Sequence, residues 1–284
     1  MSIKVAVLGA NGQLGQNLQK WHQENNPTGE WYFFSSADLN ICSKEDLQKH
    51  FNSTSSFDYI INCAAYTEVD QAEFSKEKAD EVNHIGVKNL IETFDSSKTI
   101  LIHISTDFVF DGKINRPLTE KDTPNPINYY GLSKYKGEQE IRNNVKKHFI
   151  LRTGWLYSSL GKNFLQTTKR LEKNNTQLSM IYDQVGTPTH AEILIQAISK
   201  IMESKSEAYG IYHIANEGVA SWYDFAYEIL LSLKSNCKLN PILTENYPTP
   251  AKRPSYSVLD KSKFKNEFNV EFPHWKESLK GCFN

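Results

Sequence analysis

The chain has 284 residues, a formal net charge of -1 at pH 7 and a sequence pI near 6.7. Lys and Arg are spread along it without a basic block, which argues against nucleic acid as its main partner. No basic leader precedes the first apolar run, and no run approaches the ~18 residues that span a bilayer. We therefore expect a cytoplasmic protein that is large enough to be an enzyme and makes no membrane contact.

The first half of the chain, up to about residue 157, alternates short apolar runs with longer amphipathic stretches. The apolar runs predict strands at 3–9, 31–36, 58–65, 99–105 and 149–155. The amphipathic stretches predict helices at 13–23, 44–51, 76–94 and 130–143. Because strands that alternate with helices form βαβ units, we predict an α/β fold with a doubly wound, Rossmann-type parallel sheet.

The second half has a looser pattern, which predicts a smaller α/β lobe interleaved with the sheet. Its expected elements are a helix at 163–172, a strand at 178–182, a helix at 191–203, a strand at 210–215 and a helix at 223–233. We assign residues 1–157 and about 178–215 to a dinucleotide-binding domain. Residues 158–177 and 216–284 are then expected to form the substrate-binding lobe.

The first predicted strand runs into a glycine-rich turn, with Gly9, Gly12 and Gly15 directly before a helix. Glycines at such a turn let the backbone bend, approach a pyrophosphate and pack the helix on the strand. The helix N-terminus then attracts the phosphate charge. The string alone is a weak signal, but its strand–turn–helix context indicates dinucleotide binding.

The end of the second strand bears on cofactor choice. An acidic residue there would bind the ribose hydroxyls of NAD and repel a 2′-phosphate, but this strand ends in Ser35-Ser36. Asp38 comes slightly late for that role. The pattern favours NADPH and leaves NADH open.

Tyr130 and Lys134 form a YxxxK sequence that places both side chains on one helix face, one turn apart. An ammonium near the phenol is expected to lower the pKa of Tyr130 and make it a proton donor near neutral pH. Thr106 ends the fourth strand, and ligands of open α/β sheets bind beyond the carboxyl ends of strands. We expect its hydroxyl to polarise a substrate carbonyl in the same crevice.

The four cysteines and eight histidines indicate no metal motif. Cys42, Cys63, Cys237 and Cys282 are far apart and include no CxxC pair, which fits a reducing compartment. The histidines include no HxxH or HxxxH pair, so a catalytic zinc site is not expected.

Together, the glycine turn, Thr106 and the YxxxK sequence resemble the extended short-chain dehydrogenases. Further segments are similar to those of the dTDP-4-dehydrorhamnose reductase family and cover nearly the whole chain. These segments are Asn62–Asp70, Ser105–Phe110, Arg152–Trp155, Gly161–Phe164, Asp183–Pro188, Gly210–His213, and Arg253–Pro254 followed by Leu259–Asp260. The segments that contain Gln184 and Arg253 are more specific than the glycine turn.

The resemblance implies that NADPH, or NADH, reduces the C4 ketone of dTDP-4-dehydro-L-rhamnose to dTDP-L-rhamnose for cell-surface polysaccharide synthesis. It makes Tyr130 the acid, Lys134 its electrostatic partner and a nicotinamide-ribose ligand, and Thr106 the carbonyl polariser. The other residues implied at the cofactor are Gly9, Asn11, Gly12, Gln13, Leu14, Gly15, Asp38, Leu39, Ala64, Ala65 and Tyr66. Those implied at the dTDP-sugar are Val69, Thr106, Asp107, Phe108, Trp155, Asn163, Gln184 and Arg253, the last three at its diphosphate.

The chain departs from the family in two ways. Some members are magnesium-linked dimers that use carboxylates early in the first helix and at the C-terminus. Here Asn17 stands at the first place and only Glu192 matches, so we predict no metal and a monomer or weak homodimer. Phe108 stands where a Tyr is frequent, which removes one hydroxyl from the pocket.

Other functions compete with this one. A sibling 4,6-dehydratase needs an Asp-Glu pair after the strand-end Thr, whereas this chain has Asp107-Phe108. A non-catalytic regulatory subunit, like that of methionine adenosyltransferase, shares the fold, and so would a sensor that only binds NADP. Another nucleotide-sugar ketoreductase is a further alternative.

Overall fold

A computed structural model describes residues 2–52 and 57–283 of the chain. The residues that bound the two predicted lobes, Met1 and Asn284, lie outside these ranges. Within them, none of the helices combines the length and apolar character that crossing a bilayer requires.

Strands and helices alternate through the first half of the chain, as predicted. The strands are β1 Lys4–Leu8, β2 Glu30–Phe34, β3 Tyr59–Asn62, β4 Ile100–Thr106, β5 His148–Thr153, β6 Leu156–Tyr157, β7 Gln177–Ile181, β8 Val185–Gly186, β9 Thr189–His190, β10 Gly210–His213, β11 Ala220–Ser221 and β12 Lys238–Ile242. The α-helices are α1 Gln13–Asn25, α2 Lys44–Asn52, α3 Lys76–Asp80, α4 Gly86–Ile91, α5 Tyr129–Asn144, α6 Phe164–Glu172, α7 Ala191–Ser204, α8 Trp222–Ser232, α9 Ser262–Phe268 and α10 Trp275–Lys280. Shorter helical turns lie at Gln71–Glu73, Asp107–Val109 and Thr244–Asn246.

Six parallel strands form the main sheet in the order β10-β5-β4-β3-β1-β2. Side chains of β1 alternate between its two faces: Val5 and Val7 lie in one apolar cluster, and Ala6 and Leu8 lie in another. Helices α1, α7 and α9 contribute to the first cluster, while α2, α4 and α5 contribute to the second. The predicted doubly wound parallel sheet is confirmed.

The predicted strand at 178–182 forms as β7, but it does not join the main sheet. It pairs in parallel with β12, Lys238–Ile242, which the sequence patterns did not indicate. Pro241 lies within β12 and cannot donate a backbone hydrogen bond, so the segment does not read as a strand. The strand at 210–215 does join the main sheet, as β10, and the assignment of residues to two lobes stays a prediction.

The predicted helix at 76–94 is helical from Lys76 to Ile91 but contains a π-helical turn at Glu81–Ile85. Asn83 in this turn bonds across to other elements. Its side chain accepts from the Tyr66 backbone N–H at 2.9 Å and donates to the Ser133 hydroxyl at 3.0 Å. The turn therefore connects the loop after β3 with α5, which carries the YxxxK sequence.

Candidate active site

The three glycines after β1 have three different surroundings. Gly9 adopts the left-handed conformation (φ 78°), and an added Cβ would lie 2.7 Å from the Ala64 backbone nitrogen. At Gly15, a Cβ would overlap the Gly9 carbonyl oxygen, so this glycine lets α1 pack on the turn. At Gly12, a Cβ would meet only the Gly9 carbonyl oxygen, at 3.2 Å. The backbone at Gly12 is therefore open to a ligand.

The N-terminus of α1 suits an anion. Gly12 is its N-cap residue and supplies no capping side chain, and the first turn, which contains Gln13 and Leu14, has no acidic residue. Backbone N–H groups left in this way, together with the helix dipole, attract phosphate. Asn11 is exposed beside the turn, and Ala64, which follows β3, is partly exposed. These residues fit the diphosphate of a dinucleotide.

The end of β2 offers little to the ribose. The Asp38 carboxylate accepts hydrogen bonds from the Ser35 hydroxyl at 2.6 Å and the Ser35 backbone N–H at 2.9 Å. These bonds hold the pKa of Asp38 below its ordinary value. The Leu39 side chain is buried in the core, so it presents no free surface to an adenine.

Thr106 lies at the carboxyl end of β4, where its hydroxyl is part of a short turn. The hydroxyl donates to an Asp107 carboxylate oxygen at 3.1 Å and accepts from the Phe108 backbone N–H at 3.1 Å. Asp107 is buried, and this burial raises the pKa of its carboxyl to about 6. Thr106 thus has the capping role that its sequence position also allowed.

Tyr130 lies beside this turn, on the first turn of α5. Its ring packs edge-on against the Phe108 ring, with the centroids 5.9 Å apart. Burial raises the pKa of Tyr130 to about 12, while its interaction with the Thr106 hydroxyl acts in the opposite direction. The prediction that Lys134 lowers this pKa is wrong for this geometry, because the ammonium is bonded elsewhere. A high pKa keeps the phenol protonated at neutral pH.

The Lys134 ammonium is buried against β4. It donates to the Ile104 carbonyl oxygen at 2.7 Å and lies 3.4 Å from Nε2 of His103. The opposite ring nitrogen of His103 lies 3.2 Å from the Asn62 side-chain nitrogen, so the strand ends form a polar chain that reaches Lys134. Burial lowers the pKa of Lys134 to about 8, although the carboxylate of Glu138 acts in the opposite direction.

A buried ion pair lies one turn further along α5. Arg152 on β5 donates to both carboxylate oxygens of Glu138, at 2.9 and 2.6 Å, and the Ser105 hydroxyl donates to the first of them at 2.6 Å. Both charged side chains are almost fully buried. A buried charge pair of this kind fixes geometry more than it adds stability. The pair holds α5 in register with β4 and β5.

Trp155 follows β5 in a left-handed backbone conformation (φ 52°). Its indole stacks on Trp222, with the ring centroids 3.5 Å apart and the planes 2° apart. The backbone before it is tight, since a Cβ at Gly154 would lie 2.5 Å from the Asp107 carboxyl carbon. The two indoles form one wall beside Asp107.

The three residues implied at the diphosphate are in different states. Arg253 donates to both carboxylate oxygens of Asp70, at 3.0 and 2.8 Å. Gln184 is buried between Trp222 and Thr244, to which its two polar atoms are bonded. Asn163 caps α6 and donates to two nearby backbone carbonyls. These internal bonds do not favour Gln184 and Asn163 as direct ligands, because their polar atoms are already satisfied.

The remaining implied residues flank the same crevice. Gln13 donates towards the Leu156 carbonyl at 3.4 Å. Ala65, Tyr66 and Val69 lie in the loop after β3 and are partly exposed. The loop that contains them also carries Asp70, the partner of Arg253.

Sequence reasoning did not assign roles at this site to Asn62, Glu138, Asp70 and Trp222, and it took His103 for a residue that bonds within its strand. Two of these had a signal. Glu138 stands four residues after Lys134 on the same helix, and Asn62 ends β3 next to β4. The pairs Asp70–Arg253 and Trp155–Trp222 join distant parts of the chain, and no local pattern indicates them.

Comparisons with known proteins place this geometry in context. The model of the RmlD substrate binding domain family matches residues 3–284. A dTDP-4-dehydrorhamnose reductase of Aggregatibacter actinomycetemcomitans is 38% identical over 98% of this chain and 97% of its own length.

Two solved structures are similar over nearly the full chain. The dTDP-4-dehydrorhamnose reductase of Clostridium acetobutylicum is 39% identical with a TM-score of 0.93, covering 99% of this chain and 98% of that one. The dTDP-4-dehydrorhamnose reductase of Bacillus anthracis, in complex with NADP, is 36% identical with a TM-score of 0.94, covering 100% of this chain and 99% of that one.

Proposed function

The chain belongs to the RmlD substrate binding domain family, and from this we propose that it is an NADPH-dependent dTDP-4-dehydrorhamnose reductase. It reduces the C4 ketone of dTDP-4-dehydro-L-rhamnose to the alcohol of dTDP-L-rhamnose. The observation that carries this proposal is that Thr106 and Tyr130 meet at the carboxyl end of β4. That edge also carries the glycine turn after β1, since all strands of the sheet are parallel.

The residues after β1 and β2 fit NADPH. The uncapped start of α1 and the open backbone at Gly12 suit a diphosphate. Ser35 and Ser36 leave no carboxylate at the end of β2 to repel a 2′-phosphate, and Asp38 is held by Ser35. Bound NADPH supplies the hydride for the ketone carbon.

Tyr130 supplies the proton. The phenol, protonated at neutral pH, donates its proton to the C4 oxygen as negative charge develops there. Thr106 turns its hydroxyl from Asp107 to this oxygen and holds the ketone in line. We assign Lys134 to the nicotinamide ribose and to the electrostatic support of Tyr130.

The two aromatic walls and Arg253 hold the sugar nucleotide in this proposal. Phe108 and Trp155 bound the sugar, and Arg253 offers its planar fork to the diphosphate. Phe108 stands where the dehydratase reaction needs a second carboxylate, which favours net reduction over loss of water. The protein is placed in the cytoplasm, a location that its four free cysteines fit.

The decisive experiment is an oxidation assay with NADPH and NADH, using dTDP-4-dehydro-L-rhamnose generated in situ, with the product identified by mass spectrometry and NMR. We expect dTDP-L-rhamnose to form at the rate at which NADPH is consumed. If NADPH binds but no sugar is turned over, the chain is a sensor or a binding subunit instead. Turnover of a different keto sugar would move the assignment to another ketoreductase.

A further inference from the structure

A thiol, an imidazole and a carboxylate lie in a row outside the site described above. The Cys282 sulfur is 3.4 Å from Nε2 of His190, and Nδ1 of His190 is 3.4 Å from a carboxylate oxygen of Glu192. Cys282 follows α10, His190 ends β9, and Glu192 lies in the first turn of α7. None of the three takes part in the proposed reduction.

The imidazole of His190 is held in place from several sides. Its residue is 8% exposed, its backbone N–H donates to the Asn216 side chain at 2.8 Å, and its ring packs edge-on against Tyr157. Burial disfavours the imidazolium, but the contacts with Cys282 and Glu192 outweigh burial and raise the pKa of His190 to about 9. At neutral pH the sulfur therefore faces a fixed cation, which favours a thiolate.

The other cysteines have different surroundings. Burial raises the pKa of the Cys63 thiol to about 12 and that of the Cys42 thiol to about 11. Cys237 is partly exposed, as Cys282 is, but burial raises its pKa too and its sulfur contacts a backbone carbonyl. Cys237 therefore serves as the matched reference for Cys282.

We propose that Cys282 is a modification site that forms mixed disulfides with small-molecule disulfides, with His190 as its base and Glu192 as the group that orients His190. His190 takes the thiol proton, and the Cys282 sulfur attacks one sulfur of R–S–S–R. A Cys282–S–S–R bond forms as the original S–S bond breaks. The leaving RS⁻ takes up the proton from His190, so that RSH is released.

The charged and titratable groups around His190 define its pH dependence. Glu192 faces it from α7, Tyr157 from β6 and Cys282 from the end of the chain. Lys20 on α1 acts on Glu192, and the Lys169 ammonium donates to the Cys282 carbonyl rather than to its sulfur. Between pH 6 and 8 the imidazolium stays charged, so the reactivity of Cys282 is expected to change little in this range.

The test measures the modification of each cysteine in the full-length, folded protein. The protein is treated with oxidised glutathione at pH 6, 7 and 8, and each cysteine-containing peptide is quantified by mass spectrometry. At pH 7 we expect Cys282 to react at least about tenfold faster than Cys237. The rate for Cys237 should rise about tenfold per pH unit, whereas the rate for Cys282 should rise less than about threefold per unit.

Variants separate activation from mere accessibility. His190→Asn should slow Cys282 to the rate of Cys237, with its fold checked by circular dichroism. Glu192→Gln should slow Cys282 by a smaller factor, and it tests the same idea if the first variant fails to fold, since Glu192 is mostly exposed. Equal rates for Cys282 and Cys237, or a folded His190→Asn variant in which Cys282 reacts as fast as before, would overturn the proposal.

Discussion

Lys134 shows at the scale of one residue that the site is built at the expense of stability. Its ammonium is buried, and its pKa is lowered from the ordinary 10.5 to about 8. A depressed pKa means that the folded state binds this proton less well than the unfolded chain does. Below pH 8 the folded protein therefore bears the full cost of the buried charge, and above pH 10.5 that cost is gone.

We predict that Lys134→Met abolishes turnover but stabilises the protein at pH 7. The shift in pKa sets an upper limit of about 3 kcal/mol for the gain, because one unit corresponds to about 1.4 kcal/mol. Urea unfolding at several pH values measures the gain, which should shrink as the pH rises from 8 towards 10.5. Lys136→Met is the matched control, because Lys136 pairs with Asp80 at 2.7 Å and its loss should give no gain. A Lys134→Met variant less stable than the parent at pH 7 contradicts the argument.

Tyr130→Phe is predicted to lower kcat by about 10²- to 10⁴-fold, the usual contribution of a general acid, while NADPH binding is kept. The ring and its packing on Phe108 remain, so only the proton is lost. Stopped-flow NADPH oxidation and fluorescence titration of NADPH measure the two quantities. Tyr129→Phe is the control and should stay active, because the Tyr129 ring contacts Lys76 and Lys136 instead. Near-normal kcat in Tyr130→Phe would exclude this residue as the acid.

The helix α5 illustrates the scale of one element, because it approaches its neighbours through glycines. A Cβ at Gly131 would overlap the Phe108 carbonyl oxygen, and a Cβ at Gly137 would overlap the Asn83 carbonyl oxygen. Both obstacles are backbone atoms, which cannot move aside as a flexible side chain does. The glycines thus set the distance between α5 and the turn that carries Thr106.

We predict that Gly131→Ala lowers stability by about 1–3 kcal/mol, the usual cost of overpacking, and reduces kcat because Tyr130 is displaced from Thr106. Thermal unfolding and steady-state kinetics measure the two effects. Gly281→Ala is the control, since its Cβ would come no closer than 3.4 Å to another atom. If Gly131→Ala behaves like Gly281→Ala, the close approach of α5 does not matter for the site.

At the scale of elements, the alternation of strands and helices made the main sheet predictable, because apolar runs and amphipathic stretches are local signals. The π-helical turn at Glu81–Ile85 was not predictable, because its Asn83 bonds to Tyr66 and Ser133, which are distant in the sequence. The strand β12 was missed because Pro241 argues against a strand unless the pairing partner is known.

At the scale of the whole molecule, the ion pair of Asp70 and Arg253 joins the loop after β3 to the late part of the chain. Arg253 also donates to Thr249, so its guanidinium is held ready beside the cleft. The hydrogen bonds from Arg253 keep the pKa of Asp70 below its ordinary value, so this carboxylate is charged at neutral pH. The resemblance pointed to Arg253, but its partner, 183 residues away, became apparent only in the fold.

We predict that Arg253→Lys raises the KM for the dTDP-sugar on the order of tenfold and leaves the Kd of NADPH unchanged, because an ammonium cannot match a planar bidentate fork. Arg116→Lys is the control, since Arg116 also binds a carboxylate with two nitrogens, that of Asp122, but is mostly exposed. Kinetics with varied sugar concentration and a separate NADPH titration decide the outcome. An unchanged KM in Arg253→Lys would remove this residue from the diphosphate site.

The stack of Trp155 on Trp222 gives the molecule an optical signal of its own. Two indoles with centroids 3.5 Å apart and nearly parallel planes share their electronic excitation, which yields a strong near-ultraviolet circular dichroism band. Trp155 follows β5 of the main sheet, and Trp222 begins α8. The band therefore reports how these two parts are oriented, and a sugar nucleotide bound against this wall can be followed without any added dye.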